Sequence, residues 1–271
     1  MHDHLFPDGK VECIYHQLKQ LATHIVFRPS EQLCIKTLAE VLRVSQTPVR
    51  EALIRLQTEA IVSGERQRGF FAYYPSLAEH QDLQDMLAGM LRESIQHLAN
   101  GRRDIDREHL DRIHECSDAL MTRAAHPRPD LQGASVQALE ELLAFYVTLG
   151  GNREILRVFR NILERTRKVR ILILETATTR ARIENDIPLI NQALSLRDFR
   201  KASLLLQKHF AGLSAHLPEL VKDLHWRAMH ITRGVSDATL YFRHAAAHQR
   251  QGHVASRVQQ SGGAQALLQH A

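Results

Sequence analysis

Hydrogen-bonding side chains cluster in one short stretch of the chain, at positions where two different elements should expose them. Gln46, Thr47 and Arg50 fall at the start of a predicted helix, and Arg66 and Arg68 fall at the tip of a predicted β-hairpin. An amide or guanidinium at the start of a helix can hydrogen-bond the edge of a base, and a guanidinium on a loop can bind a phosphate. These residue types therefore favour contact with a nucleic acid over covalent chemistry.

Hydrophobic periodicity predicts the helices that position these groups. Apolar residues recur at helical spacing over residues 37–42 and again over residues 49–56, with a turn between the two segments. Ser45 or Thr47 can cap the second segment, and Pro48 suits its first turn because the missing N–H costs nothing there. The side chains that should anchor this helix in a core are Val49, Ala52, Leu53 and Leu56.

A β-hairpin is expected directly after the second of these helices. Ile61 begins its first strand, residues 64–68 form the turn, and residues 69–73 form the return. Two helices joined by a tight turn and followed by a hairpin with a basic tip describe a winged helix-turn-helix, whose second helix enters the major groove of DNA. An ordinary helical hairpin whose charges face water is the alternative, and the position of the wing favours DNA.

The runs LAEVLRVSQTPVREALIRL and RG resemble the signature of GntR-type bacterial transcription regulators. The resemblance implies DNA contacts from the basic residue that opens the second helix of the domain, from the S-x-T turn, from the arginine of V-R-E and from the wing tip. The residues that it assigns are Lys36, Ser45, Gln46, Thr47, Arg50, Arg68 and Gly69, and Arg66 joins them at the wing. Gln46 stands where many relatives have arginine, which implies an adenine-type or phosphate contact in place of a guanine contact.

Composition is compatible with a nucleic-acid partner but does not indicate one by itself. The chain of 271 residues is 44% hydrophobic and 24% charged, with a formal net charge of +5. Residues 225–271 carry much of the excess positive charge, whereas positive and negative charges nearly balance in the helix-turn-helix region. Three widely spaced cysteines predict free thiols in a reducing cytoplasm, and no apolar run approaches the length of a membrane span.

The pattern after residue 75 is helical almost throughout, and Ser76 with Glu79 forms a predicted capping box. We predict a mainly α fold. A winged helix-turn-helix of three helices and a small β-hairpin occupies residues 1–75, with its first helix at residues 11–27. An all-helical bundle of about six helices occupies residues 76–224. A basic extension rich in His, Gln and Ala follows in residues 225–271 and is expected to be partly disordered. The six helices of the bundle are expected at residues 76–100, 104–125, 135–149, 152–175, 179–195 and 198–224.

The bundle resembles, more weakly, the effector domain of the FadR-like branch of the same family, the FCD domain. The resemblance lies in GGN and in INQALSLRDFRKASLLLQKHF. Many such domains hold a divalent metal through one Asp and three His, and the corresponding positions here are Leu139, Leu143, Ile187 and His209. Since only His209 can be a ligand, we predict no metal and no other cofactor, and a histidine hydrogen-bonded within the bundle.

These four residues, together with Arg92, define the predicted pocket for a small organic effector, either a carboxylate or an apolar molecule. The fourth helix of the bundle adds possible anion receivers, although each is expected to be exposed and paired with a nearby glutamate. They are Arg165, Arg167 and Arg170. Glu140 and Glu141 are expected on a solvated helix edge.

The predicted function is a cytoplasmic, DNA-binding transcription regulator. It would bind double-stranded DNA as a homodimer on an inverted-repeat operator, with its affinity modulated by the effector. Two alternatives stay open, namely a dimer without an effector, its pocket filled by aliphatic side chains, and an enzyme built on the bundle. The chain has no GxSxG, P-loop or GxGxxG motif, so no catalytic residue is assigned.

Overall fold

The computed structural model describes residues 7–125 and 132–231. Its first part, here called the winged domain, contains α1 (Pro7–Thr23), α2 (Ile35–Leu42), α3 (Gln46–Thr58), β1 (Val62–Glu65) and β2 (Gly69–Ala72). The remainder, here called the helical domain, contains α4 (Leu77–Ala99), α5 (Arg107–Ala125), α6 (Gln132–Leu149), α7 (Arg153–Arg165), α8 (Arg167–Glu175), α9 (Ala177–Ser195), α10 (Phe199–Ser214) and α11 (Leu217–Met229). The predicted mainly α fold is confirmed. Residues 232–271 of the predicted extension lie outside the described residues.

The winged domain has a hydrophobic core of its own, formed where α1 packs against α3. All four apolar residues that were expected to anchor α3 are buried, because they recur on one face of the helix. The hairpin is antiparallel and runs from Val62 opposite Ala72 to Glu65 opposite Gly69. α1 ends at Thr23 rather than at residue 27, and the next amide, that of His24, bonds the carbonyl of Leu21 three residues back instead of four.

The helical domain begins as predicted and then departs from the prediction in helix number. Ser76 and Glu79 form the full capping box, with hydrogen bonds of 3.2 and 2.9 Å. Two of the six expected helices are each divided in two. The first division falls at Thr166, whose hydroxyl bonds back to the carbonyl of Ile162 at 2.7 Å. The second falls before α11, where Pro218 lacks the N–H that a continuous helix would need.

A buried charge cluster joins α6 to α8, and the prediction of a solvated edge is wrong for Glu140. Glu140 is 7% exposed, and its Oε1 accepts from Arg170 Nη2 at 2.8 Å and from Arg167 Nε at 3.1 Å. Burial opposes its ionisation, but Arg170 and Arg167 outweigh that effect and hold the pKa of Glu140 below its ordinary value. Arg170 is likewise buried rather than exposed, because α6 faces it with this carboxylate. Glu141 is exposed as predicted.

Charged side chains hold the winged domain against the helical domain. Lys19 of α1 lies 2.5 Å from Glu164 of α7 and 2.9 Å from Glu59, which caps the end of α3. Tyr15 donates to the same Glu59 carboxylate at 2.7 Å, and Asn161 of α7 donates to the Glu59 carbonyl at 2.9 Å. Burial opposes the charge on Lys19, but its hydrogen bonds to Glu164, Tyr15 and Glu59 prevail and raise its pKa. α7 is therefore in direct contact with the end of the α3 helix.

A buried lysine makes a second junction between the domains. Lys168 of α8 donates to the backbone carbonyl of Tyr73 at 2.8 Å, and its ammonium lies 3.9 Å from the centroid of the Tyr74 ring. Within residues 7–125 and 132–231 it forms no ion pair with a carboxylate. Burial lowers the pKa of Lys168 to about 7.

Neutralising the buried carboxylate should destabilise the protein. We expect Glu140→Gln to lower the free energy of unfolding by roughly 3–5 kcal/mol, because two guanidinium groups would then face each other in the interior without their shared anion. The measurement is urea denaturation followed by circular dichroism. Glu141→Gln, one residue along and exposed, is the matched control and should change stability by less than about 0.5 kcal/mol. Equal losses in the two variants would contradict this account.

Lys168 should make stability depend on pH. Its pKa is about 7 in the folded protein and close to the ordinary 10.5 in the unfolded chain, so the unfolded chain binds the proton more tightly. Stability should therefore rise as pH increases from 7.5 to 9.5, and Lys168→Met should reduce that rise. The measurement is the urea midpoint at both values. Lys201→Met, an exposed lysine on α10, should keep the wild-type rise. A slope in Lys168→Met equal to that of the wild type would refute the assignment.

Candidate nucleic-acid interface

The start of α3 presents polar side chains to solvent while the opposite face of the helix is fixed in the core. Gln46, Thr47 and Arg50 are exposed, and Ser45 is the N-cap but makes no side-chain capping bond. In the part of the chain that the structure describes, neither Gln46 nor Arg50 forms a side-chain hydrogen bond or ion pair. Their donors are free for an external partner, and the buried face of α3 fixes where they point.

The second arginine of α3 has a different role. Arg55 contacts Glu12 at 2.6 Å and Glu59 at 3.5 Å, and its guanidinium lies 3.6 Å from the centroid of the Tyr15 ring. The hydrogen bond that Arg55 donates to Glu12 is the main reason that the pKa of Arg55 is raised. Arg55 therefore fastens α1 to α3, and Arg50 is the arginine of this helix that remains available to a ligand.

The wing is a tight turn between β1 and β2 with exposed basic residues. Arg66 is exposed and forms no side-chain hydrogen bond or ion pair with any described residue. Arg68 is also exposed but is paired with Glu65 across the turn, and Gln32 donates to the Arg68 carbonyl at 2.8 Å. Gly69 has φ +96, a conformation that residues with a Cβ rarely adopt. An exposed ion pair is weak, so a phosphate can replace Glu65 as the partner of Arg68.

All eight predicted contact residues lie on the surface of the winged domain. Lys36, at the start of α2, is exposed, as are the S-x-T turn and the wing residues. These positions come from α2, from α3 and from the β1–β2 turn, and the small core of the domain holds the three elements together. The structure thus places the predicted residues in three adjacent elements.

Sequence reasoning missed Arg43, which lies in the turn between α2 and α3. It is exposed, its φ is +56, and no described residue hydrogen-bonds or pairs with its side chain. Left-handed backbone at a helix C-terminus is usually taken by Gly or Asn, because a Cβ costs free energy there. The signal that could have identified Arg43 was a basic residue at the turn position, three residues before Gln46.

The residues of the predicted effector pocket divide between the core and the surface. Leu139, Leu143 and Ile187 are buried in the core of the helical domain. His209 is 2% exposed, and its Nδ1 lies 2.9 Å from Asp186 Oδ2. Arg92 is exposed, so it does not share the interior with the other four. The expectation of a buried, hydrogen-bonded His209 agrees with this geometry.

The FCD-type metal does not fit the residues of this chain. Of the four positions that would supply ligands, three are aliphatic and the fourth, His209, is engaged by Asp186. Over the described ranges, no three His, Cys, Asp or Glu side chains are close enough together to share an ion. The hydrogen bond from His209 is the main cause of a lowered pKa at Asp186.

Among the residues that the structure describes, no helix is both long enough and apolar enough to span a membrane.

Comparison with known proteins agrees with the geometry of the winged domain. Residues 10–72 match the model of the family described as bacterial regulatory proteins, gntR family. The Nta operon transcriptional regulator of Aminobacter aminovorans is 29% identical over 211 residues, which cover 76% of this chain and 96% of that protein. The family and this relative are regulators of transcription and not enzymes.

Solved structures show a similar fold over most of the chain. A protein of Rhodococcus sp. RHA1 described as a GntR-type transcriptional regulator aligns with a TM-score of 0.65 and 19% identity, over 78% of this chain and 98% of its own. Escherichia coli McbR/YncC aligns with a TM-score of 0.59 and 18% identity, over 77% of this chain and 97% of its own. Residues 10–72 therefore form a helix-turn-helix domain of the gntR family, and the described chain has the fold of the GntR-type regulators that it resembles.

Proposed function

We propose that this regulator reads an operator sequence with the start of α3 and touches the flanking phosphates with its wing. The observation that carries the proposal is Arg50, an exposed guanidinium without an internal partner at the start of a helix whose other face is buried. An arginine so placed can form a bidentate contact with guanine. Gln46 beside it suits adenine or a phosphate, and Lys36, Arg66 and Arg68 suit phosphates.

We also propose that it acts as a homodimer in the cytoplasm. A two-fold axis would place two copies of α3 on the half-sites of an inverted repeat, about one helical turn of DNA apart. In this proposal residues 1–75 bind DNA, and the FCD-like residues 76–224 form the dimer and bind the effector. The dimer gives two weak sets of base contacts enough combined affinity for one operator.

An effector would act on the helical domain, and it can change DNA affinity only by binding two arrangements of the dimer unequally. A second candidate is a regulator without an effector in the bundle core. Its support is the burial of Leu139, Leu143, Ile187 and His209, which pack among other core residues instead of facing an open space. The two versions differ only in whether a small molecule alters operator binding.

Arg50 should contribute the largest single share of operator recognition. We expect Arg50→Ala to weaken operator binding by about 1–3 kcal/mol and to relax the base preference at one position of each half-site. Fluorescence anisotropy with the selected operator measures the loss, and thermal unfolding should stay unchanged because Arg50 has no internal partner. Arg157→Gln, an exposed arginine on α7, is the control. Wild-type operator affinity in Arg50→Ala would sink the proposal.

Arg43 should lower the stability of the fold and raise the affinity for DNA. Arg43→Gly relieves the left-handed backbone, so the free energy of unfolding should stay equal or rise by up to about 1 kcal/mol. The same change removes one phosphate contact, so the slope of log affinity against log salt should fall by about 1. Arg43→Lys keeps the charge and should keep most of the salt dependence. An unchanged slope in Arg43→Gly would show that Arg43 does not touch DNA.

A further inference from the structure

We propose that a cavity on the outer side of α6 binds a small organic carboxylate, and that its occupancy is transmitted to the winged domain through Glu164. The cavity has a volume of about 320 Å³ and lies between α5, α6, α7 and α8. It is separate from the predicted core pocket, because the residues that line it do not include Leu139, Leu143, Ile187 or His209. The inference rests on the proposed function, since it names the effector class and its site.

The size and the apolar wall of the cavity suit a compact molecule with one hydrophobic body. Phe145, Ala144, Leu163 and Cys116 supply the apolar lining. Ligand sites in proteins begin at about 300 Å³, and a cavity of about 150 Å³ is enough for benzene. A single ring or a short branched chain carrying one polar group therefore fits the space.

The polar wall offers hydrogen-bond donors in excess of acceptors. Arg160 makes no side-chain hydrogen bond or ion pair within the described ranges, so its guanidinium donors are free. The carboxylates of Glu140 and Glu164 are already engaged. Glu140 accepts hydrogen bonds from Arg167 and Arg170, and Glu164 forms an ion pair with Lys19. A ligand that accepts hydrogen bonds and carries negative charge complements this wall, and a carboxylate can bind the Arg160 guanidinium in bidentate fashion.

One lining residue opposes an anion and gives the proposal an internal check. Glu141 is exposed, accepts from Gln137 at 2.8 Å and carries a negative charge on the rim of the same cavity. Its repulsion should weaken the binding of a carboxylate at this site. Removal of that charge should consequently strengthen binding, whereas removal of the Arg160 charge should weaken it.

α7 connects the cavity to the winged domain. Glu164 lines the cavity and also forms the 2.5 Å ion pair with Lys19 of α1. Asn161, three residues earlier on α7, hydrogen-bonds the carbonyl of Glu59 at the end of α3. A ligand that draws Arg160 into the cavity moves the helix that carries both contacts. The ion pair of Lys19 is then the differential contact that links ligand binding to DNA affinity.

Calorimetry on the DNA-free full-length protein tests the binding site. The probes are benzoate and phenylacetate, each compared with its neutral amide at constant ionic strength. We expect at least one acid to bind with a dissociation constant of about 1 mM or lower and its amide to bind at least tenfold more weakly. Arg160→Gln should weaken the acid about tenfold, Glu141→Gln should tighten it, and Arg157→Gln should leave it unchanged. Absence of binding by both acids, or binding insensitive to Arg160→Gln, would overturn the proposal.

Operator binding with and without the bound acid tests the coupling. In the wild type the acid should change operator affinity about fivefold or more. In Glu164→Gln the acid should bind at least as tightly as in the wild type, because this change also removes a negative charge from the cavity wall, but its effect on operator affinity should fall below about twofold. An effect of wild-type size in Glu164→Gln would refute the role of this ion pair. Loss of sequence-specific DNA binding in the absence of any acid would instead refute the proposed function, and the calorimetric result would stand separately.

Discussion

The ion pairs of Lys19 are the constraint on which the arrangement of the two domains depends. The Lys19 ammonium forms ion pairs with Glu59 at the end of α3 and with Glu164 on α7, and it donates a hydrogen bond to the hydroxyl of Tyr15. A partly buried charge that loses one partner is costly, so both carboxylates must remain close to it. The position of α3 relative to the helical domain is therefore set by α7 and not only by the linker between the domains.

The helical domain combines an apolar interior with one buried charge cluster. Of the four positions to which the FCD resemblance assigns metal ligands, three are occupied here by aliphatic residues that pack in the core, and the fourth is His209, which pairs with Asp186. Charge enters the interior instead at Glu140 and Arg170, on the side of α6 that faces the outer cavity. Ligand chemistry in this chain is thus expected at the periphery of the bundle, where α7 touches both the cavity and the winged domain.

The sequence was enough to predict the elements that depend on interactions between residues close together in the chain. Periodicity identified the buried face of α3, and short-range side-chain bonding identified the capping box at Ser76. Which glutamate is buried could not be predicted, because Glu140 and Glu141 are adjacent residues of the same type. The difference between them comes from Arg167 and Arg170 on another helix, which both bind Glu140. The pairing of Lys19 with Glu164 joins residues far apart in the chain, and no local pattern encodes it. The role of Arg43 depends on its backbone conformation, which the residue type alone does not reveal.

Specific recognition of DNA is the central claim, and selection from genomic DNA tests it most directly. The purified full-length protein is incubated with fragmented genomic DNA at near-physiological salt, and the bound fraction is sequenced. The account predicts enrichment of one short inverted repeat, with half-sites spaced for two α3 helices related by a two-fold axis. Binding that shows no sequence preference and vanishes steeply as salt rises would mean that the contacts reach phosphates alone, which would contradict the account.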